Sequence, residues 1–296
     1  MGGKQMKSVV SFPNRGPWGN SSYRGNCSGH LIKELILHFF PNSKPKRFVE
    51  VFSGGGTGKE VAKELGITNS VHLDLNTGWN ALKDEIPYGS DFVFSHPPYW
   101  DIIRYEEIRG SFDPDDLSNT MSYEEFIAKL DQVNAKIYAS LFNGGRHAIL
   151  IGDIRKQGKY YSIIKDMTWF GELESHVIKV QHNCTSDRIK YSNTNFIPIV
   201  HEHLLIFRKN QVWAVRVKMV LSKKFDLRHF KNITWRDLVQ GALEWLGGKA
   251  CLPQIYKIIE GSKKARQNRH WKEKVRQTLQ LYDDFVRLER GVWKLR

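Results

Sequence analysis

Up to residue 208, short apolar runs alternate with segments whose apolar positions recur every three or four residues. The first kind reads as buried strand, the second as helix packed by one face. Strands are expected at 48–52, where four apolar residues surround Glu50, and at 70–75, 92–94, 147–153, 176–180 and 200–207. Helical spacing covers 31–37, 59–65 and 123–141, the last placing Phe126, Leu130, Val133, Ile137 and Leu141 on one side. Gly144-Gly145-Arg146 is expected to end that helix, the acidic stretch 113–119 ahead of it reads as an exposed loop, and a further helix is read over 163–173. Strand and helix in alternation imply an α/β sheet with helices on both faces, a class in which ligands bind at the carboxyl ends of strands.

The pattern changes near residue 210. Thr234 is placed to cap a helix carrying Leu243, Trp245 and Leu246, stopped by Gly247-Gly248. A second short helix fits 252–259. A third, over 271–280, turns Trp271, Val275 and Leu279 inward and Lys272, Arg276 and Gln280 outward, and residues 285–295 alternate about Gly291 like a small hairpin. Three helices followed by a hairpin resemble a winged helix, with the third helix entering a groove of DNA. Two domains are therefore expected, 1–212 and 220–296.

Charge sharpens that division. The net charge is +14; residues 1–210 hold 25 Lys and Arg against 23 Asp and Glu, while residues 211–296 hold 20 against 8. So uneven a split predicts a polyanionic partner, and double-stranded DNA suits a winged helix. Lys263, Lys264, Arg269, Lys272 and Arg276 are its expected contacts, with Trp100 and Arg104 as contacts from the first domain. The start, Met1-Gly2-Gly3-Lys4, is polar and no apolar run is long enough for a bilayer, so a cytoplasmic chain without membrane contact is expected. Cys27, Cys184 and Cys251 are too far apart for a Cys-x-x-Cys site. His182 with Cys184 and His201 with His203 are the only ligand-like spacings, and no metal site is expected.

Two breaks in the strand pattern carry chemistry. In Ser95-His96-Pro97-Pro98-Tyr99-Trp100, directly after the apolar run 92–94, consecutive prolines fix the backbone and remove two donors. The carbonyls left unpaired, together with the residue before the prolines, can accept both hydrogens of an exocyclic amine, and Tyr99 offers an aromatic face to a planar base. A polyproline ligand is the plainer reading, but the surrounding sequence is not proline-rich. The second break is Ser53-Gly54-Gly55-Gly56-Thr57-Gly58, a glycine turn between the strand at 48–52 and the helix at 59–65. It lets a ligand approach the backbone closely, and its spacing matches neither G-x-G-x-x-G nor a Walker loop. Asp74 ends the next strand, where an acid can accept hydrogen bonds from ribose hydroxyls. Ser28 is placed to cap the helix at 31–37, whose amide-rich start suits a carboxylate.

Together the two motifs resemble the S-adenosylmethionine-dependent DNA amino-methyltransferases, which modify adenine N6 or cytosine N4. That family has Asp, Asn or Ser before Pro-Pro-Tyr, where this chain has His96, and its cofactor strand ends in an acidic-x-Phe-x-Gly-x-Gly-Thr pattern like 50–57. The resemblance covers about residues 20–208, with the extra domain last, an order that belongs to a mainly adenine-modifying class. It implies a Rossmann-like sheet and S-adenosyl-L-methionine held by Asn26, Ser28, Gly29, Glu50, Phe52, Ser53, Gly54, Gly55, Gly56, Thr57 and Asp74. It also implies catalysis at His96, Pro97, Pro98 and Tyr99 on a flipped base, with His96 and the Pro97 carbonyl accepting the amino hydrogens. Cytosine N4, adenine in RNA and a protein amide present a similar nitrogen and stay open. A DNA-binding regulator with a degenerate methyltransferase core is the other class. No nuclease-like segment is evident, so a restriction or regulatory partner would be a separate chain.

Overall fold

The computed structural model describes residues 6–182, 195–210, 217–218 and 233–296, in two compact units, Met1–Val220 and Leu221–Arg296. Cys184 and residues 220–232 lie outside the described residues.

The strands of the first unit are β1 (Val9–Ser11), β2 (Phe48–Val51), β3 (Ser70–Leu73), β4 (Ser90–Ser95), β5 (Leu141–Ile151), β6 (Ile154–Lys156), β7 (Lys159–Tyr161), β8 (Trp169–Phe170), β9 (Glu172–Val180), β10 (His201–Arg208) and β11 (Val217–Lys218). Seven of them form one sheet in the order β1-β9-β10-β5-β4-β2-β3, while β6 pairs with β7 and β8 with β11. β3, β2, β4 and β5 run parallel, and β10 is antiparallel to both of its neighbours. The amino end of β10 therefore lies beside the carboxyl end of β5, with His203 opposite Ile151.

The helices are α1 (Gly29–Phe39), α2 (Thr57–Glu64), α3 (Tyr105–Arg109), α4 (Tyr123–Ser140) and α5 (Ile163–Asp166). Successive strand residues face opposite ways, and the two cores follow that rule. Phe92, Phe94, Ala148, Leu150, Leu204 and Ile206 join Leu31, Leu35 and Val61 on the α1 and α2 side. Val93, Ile149, Ile151, Leu205 and Phe207 join Phe126, Leu130 and Ile137 of α4 on the other. Helices thus cover both faces. Leu130 is fully buried, so Leu130→Ala should cost about 2–5 kcal/mol.

Three sequence expectations are corrected. The helix ends at Ser140, and Gly144 and Gly145 lie inside β5. A Cβ at Gly145 would come within 2.9 Å of the Phe142 carbonyl and 3.0 Å of the Ser90 carbonyl, so glycine permits close backbone approach there rather than stopping a helix. The helix read over 163–173 is only α5, because Trp169 and Phe170 turn to strand and Gly171 takes φ 88° ahead of β9. The acidic stretch 113–119, read as an exposed loop, buries Asp116, Leu117 and Ser118; Asp116 accepts from the Ser118 amide and hydroxyl.

The second unit contains α6 (Trp235–Trp245), β12 (Lys249–Cys251), α7 (Leu252–Ile259), α8 (Lys263–Arg266), α9 (Trp271–Leu281), β13 (Phe285–Glu289) and β14 (Val292–Leu295). Thr234 and Asp237 cap α6 reciprocally. The strands form an antiparallel sheet in the order β12-β14-β13, and Leu243, Ile255, Val275, Leu279 and Trp293 meet in its core. Trp245, an apolar helix position in the sequence, is 79% exposed. No described helix is long and apolar enough to cross a membrane.

Candidate active site

The glycine turn leaves β2 through Phe52, whose φ of 63° lies in the left-handed region. A non-glycine residue there costs about 1–2 kcal/mol, so the surroundings must hold it. Three side chains do. The Gly54 amide donates to Asp74 Oδ2 at 2.8 Å, the Gly55 amide to Asn26 Oδ1 at 3.1 Å, and the Gly58 amide to Glu50 Oε1 at 3.1 Å. Glu50 is buried beneath the turn and its Oε2 lies 2.7 Å from His72 Nδ1. The other oxygen of Asp74 accepts from the Asn76 amide at 2.9 Å. Burial pushes both carboxyls up from their ordinary range, against the hydrogen bonds that pull them down. A Cβ at Gly54 would meet the Tyr23 ring at 2.8 Å, at Gly55 the Asn26 amide at 2.6 Å, and at Gly58 Glu50 Oε1 at 2.3 Å. Gly56 has open space but a φ of 79°, so a side chain there would be strained by the backbone alone.

This turn is one wall of a pocket at the carboxyl ends of β2, β3 and β4. Of the residues expected to hold a cofactor, Asn26, Glu50, Phe52, Ser53, Gly54, Thr57 and Asp74 line it, and His96 and Pro98 complete its far side. Ser28 and Gly29 do not. The Ser28 hydroxyl reaches the carbonyls of Asn14 and Arg15 at 3.4 and 3.3 Å instead of capping α1, and Gly29 is where Trp18 packs, 2.3 Å from a built Cβ. Gly55 and Gly56 line an adjoining, more open groove with Lys59 and Thr77. The sequence reading missed the opposite wall. Tyr23 stacks on Tyr105 at 5.7 Å between ring centres and receives the Asn76 side-chain amide at 3.1 Å. Arg109 Nη1 donates to the buried Asp116 at 2.8 Å, while its Nη2 is buried with no hydrogen-bond partner among the described residues.

The Pro-Pro-Tyr turn follows β4. Beneath it, Ser95 Oγ lies 2.7 Å from Nε2 of His147 on β5, a ring whose pKa burial pushes down to about 3. Tyr99 lines a second cavity with Ile102, Gly152, Asp153, Arg155, Phe196 and His201. The turn thus separates two cavities. Pro97 is buried and lines neither. A Cβ at Gly152 would come within 2.7 Å of the Tyr99 ring, so that glycine seats the tyrosine. His96 Nε2 is 2.9 Å from the Tyr99 hydroxyl, which donates to Glu202 Oε1 at 2.6 Å; Lys179 Nζ donates to Glu202 Oε2 at 2.5 Å. Burial alone would raise the Glu202 carboxyl, but the neighbouring His96 and the Lys179 charge hold it well below the usual range. Burial, then the Glu202 charge, push the Tyr99 phenol well above 10.

The expected DNA contacts fare unevenly. Trp100 is corrected: at φ 53° it is 6% exposed, its indole donates to the Met121 carbonyl at 2.9 Å, and it packs on Tyr123 and Tyr161, so it is a core residue. Arg104 is exposed and pairs with Glu106. Lys264 is also engaged internally, donating to the Ile233 carbonyl at 2.7 Å across the Trp235 ring. Lys263, Arg269, Lys272 and Arg276 are exposed, the last paired with Glu273 at 2.9 Å. Among the described residues no group of three or more His, Cys, Asp or Glu could hold a metal ion.

No protein-family model and no curated protein matches the chain. Among solved structures it is similar to TrmN from Thermus thermophilus, at 15% identity and TM-score 0.37 over 63% of this chain and 50% of that one. It is also similar to TTHA0409, from the same organism and complexed with S-adenosyl-L-methionine, at 18% identity and TM-score 0.30, covering 57% of each chain. A third is the N-methyltransferase NodS from Bradyrhizobium japonicum WM9 with S-adenosyl-L-homocysteine, at 8% identity and TM-score 0.36 over 62% of this chain and 86% of that one. The match spans 50% of the first and 57% of the second.

Proposed function

We propose that this chain methylates an exocyclic amino group in DNA, adenine N6, using S-adenosyl-L-methionine. The observation that carries the reading is the position of residues 95–99: His96 and Pro98 line the glycine-turn pocket, while Tyr99 lines the cavity behind it. A methyl donor and an aromatic amine in the two cavities would meet at one acceptor turn.

The first pocket fits the donor on chemical grounds. Its glycine turn brings backbone close to a ligand, Asp74 is at hand for ribose hydroxyls, and the buried N–H of Arg109, which meets no acceptor among the described residues, suits a carboxylate. When bound, S-adenosylmethionine supplies a methyl carbon made electrophilic by its sulfonium. The chain's own residues then need only position and polarise the amine. His96 accepts an amino hydrogen, Tyr99 stacks on the ring, and Arg155, beside Phe196 and Tyr160, lines the rim. Extruding a base from duplex costs a few kcal/mol, which stacking on Tyr99 helps offset.

The second unit supports a duplex partner. Its order, helix, strand, three further helices of which α8 is only four residues, then a hairpin, resembles a winged helix with one short helix added, and Lys263, Arg269, Lys272 and Arg276 on and beside α8 and α9 offer exposed cations to phosphates. The test is incubation with methyl-labelled donor and duplex DNA followed by nucleoside analysis. N6-methyladenine is expected. Label in N4-methylcytosine would move the acceptor, and label in neither, with donor bound, would reject the reading.

A further inference from the structure

Glu202 belongs to no part of the acceptor turn in sequence, yet it ends a buried chain of hydrogen bonds from His96. The proton count along that chain is constrained. A phenol has one hydrogen, and that of Tyr99 goes to Glu202 Oε1 at 2.6 Å. The contact of 2.9 Å between the phenol oxygen and His96 Nε2 therefore needs its hydrogen from the ring. Glu202 Oε1 is also 3.8 Å from His96 Nε2, and it too can only accept. Both neighbours of Nε2 thus demand an N–H. The Glu202 charge is already balanced by Lys179 at 2.5 Å, which faces it across the β9 and β10 pairing, so the site does not demand an imidazolium. Nδ1 has no hydrogen bond to any described residue.

We infer that Glu202, acting through Tyr99, fixes His96 as the neutral Nε2–H tautomer, so that Nδ1 presents the lone pair that takes a hydrogen from the substrate amine. This rests on the function proposed above. It explains how histidine can stand where the resembled family has Asp, Asn or Ser. An amide or hydroxyl has an acceptor oxygen whatever its neighbours do, whereas an imidazole has one only if its other nitrogen holds the proton. When the amine nitrogen forms its bond to the methyl carbon, the carbon–sulfur bond breaks with its electron pair on sulfur. The proton then shed by nitrogen passes to Nδ1. The resulting imidazolium keeps its Nε2–H directed at Tyr99 and the Glu202 carboxylate. Glu202 and Lys179 are positioning residues, and His96 is the group that touches the substrate.

The test is a long-range proton–nitrogen NMR spectrum of the full chain with labelled histidine, His96 being assigned by its disappearance in His96→Asn. The expected signature at pH 7.5 is a neutral ring with hydrogen on Nε2 and a slowly exchanging Nε2–H. In Tyr99→Phe and Glu202→Gln that proton should exchange fast, with calorimetric donor affinity unchanged. Hydrogen on Nδ1, or an imidazolium, in the unaltered protein would overturn the inference. No substrate enters this measurement, so its failure counts against the tautomer alone, and absent methyl transfer with the tautomer as stated counts against the function. In turnover, Glu202→Gln should cost about 10- to 100-fold, on the order of a misplaced reacting group. In the His96→Asn background it should cost under about 3-fold. An equal loss in both backgrounds would mean that Glu202 acts only on the fold.

Discussion

Asp74→Ala tests whether the glycine turn is held as described. Asp74 is 8% exposed, and its two oxygens accept from the Gly54 amide at 2.8 Å and the Asn76 amide at 2.9 Å. Each stranded amide should cost about 1–3 kcal/mol. Two effects pull toward the low end. Both amides border the pocket, where water can replace the carboxylate, and the buried charge itself is costly, since burial raises its pKa. A net loss of about 2 kcal/mol is expected, or about 4–8 °C in the melting temperature of the unit. Donor binding should weaken about 5- to 100-fold, because Asp74 both shapes the turn and faces the pocket. Asp74→Asn keeps one acceptor and should lose about half as much stability. Scanning calorimetry and isothermal titration read the two effects separately. An Asp74→Ala protein with unaltered melting temperature and donor affinity would refute the clamp.

Further outcomes follow from other residues. Gly152→Ala should displace Tyr99, which a Cβ would approach to 2.7 Å, so methyl transfer should fall by 10-fold or more, on the order of a misplaced reacting group, while calorimetric donor affinity holds. Acid should destabilise the first unit through His147: its pKa is lowered to about 3 in the fold, so its contribution is present above the unfolded value of about 6.5 and lost as pH falls through it. Between pH 7 and pH 5 that is about 2 kcal/mol, and urea titrations should show the difference between the protein and His147→Gln shifting by that amount. Lys272→Ala and Arg269→Ala should each lower DNA affinity alike on all sequences and flatten the slope of log affinity against log salt by about 0.9. An unchanged slope would remove these residues from the interface.

The glycine turn and the Pro-Pro-Tyr turn were legible in the sequence because both are local. Glycine and proline constrain φ wherever they stand, and the apolar runs 48–52 and 92–94 could only be buried strand. Seven of the expected cofactor residues do line one pocket. What was illegible comes from afar or depends on tertiary packing. Glu202 reaches Tyr99 across 103 positions because β10 runs antiparallel and brings its amino end to the site; the alternation at 200–207 marked its strand and not its role. Trp100 adjoins the motif in sequence, but its positive φ turns the indole into the core. Gly144 and Gly145 mimic a helix stop, and only the φ of 85° at Gly144 and the close approach of the Ser90 carbonyl to Gly145 show why glycine is there. Arg109 at the end of α3 pairs with Asp116 of the acidic stretch, a contact that no periodicity announces.

The central claim is that the glycine-turn pocket and the Pro-Pro-Tyr turn form one methyl-transfer site. A single-turnover assay with tritiated S-adenosylmethionine and duplex DNA, run beside calorimetric donor binding for the unaltered chain and for Tyr99→Ala, tests it most directly. The expected result is label in N6-methyladenine from the unaltered chain, and donor bound with equal affinity but no transfer in Tyr99→Ala. Equal transfer by the two proteins, or donor binding with no label in DNA from either, would contradict it.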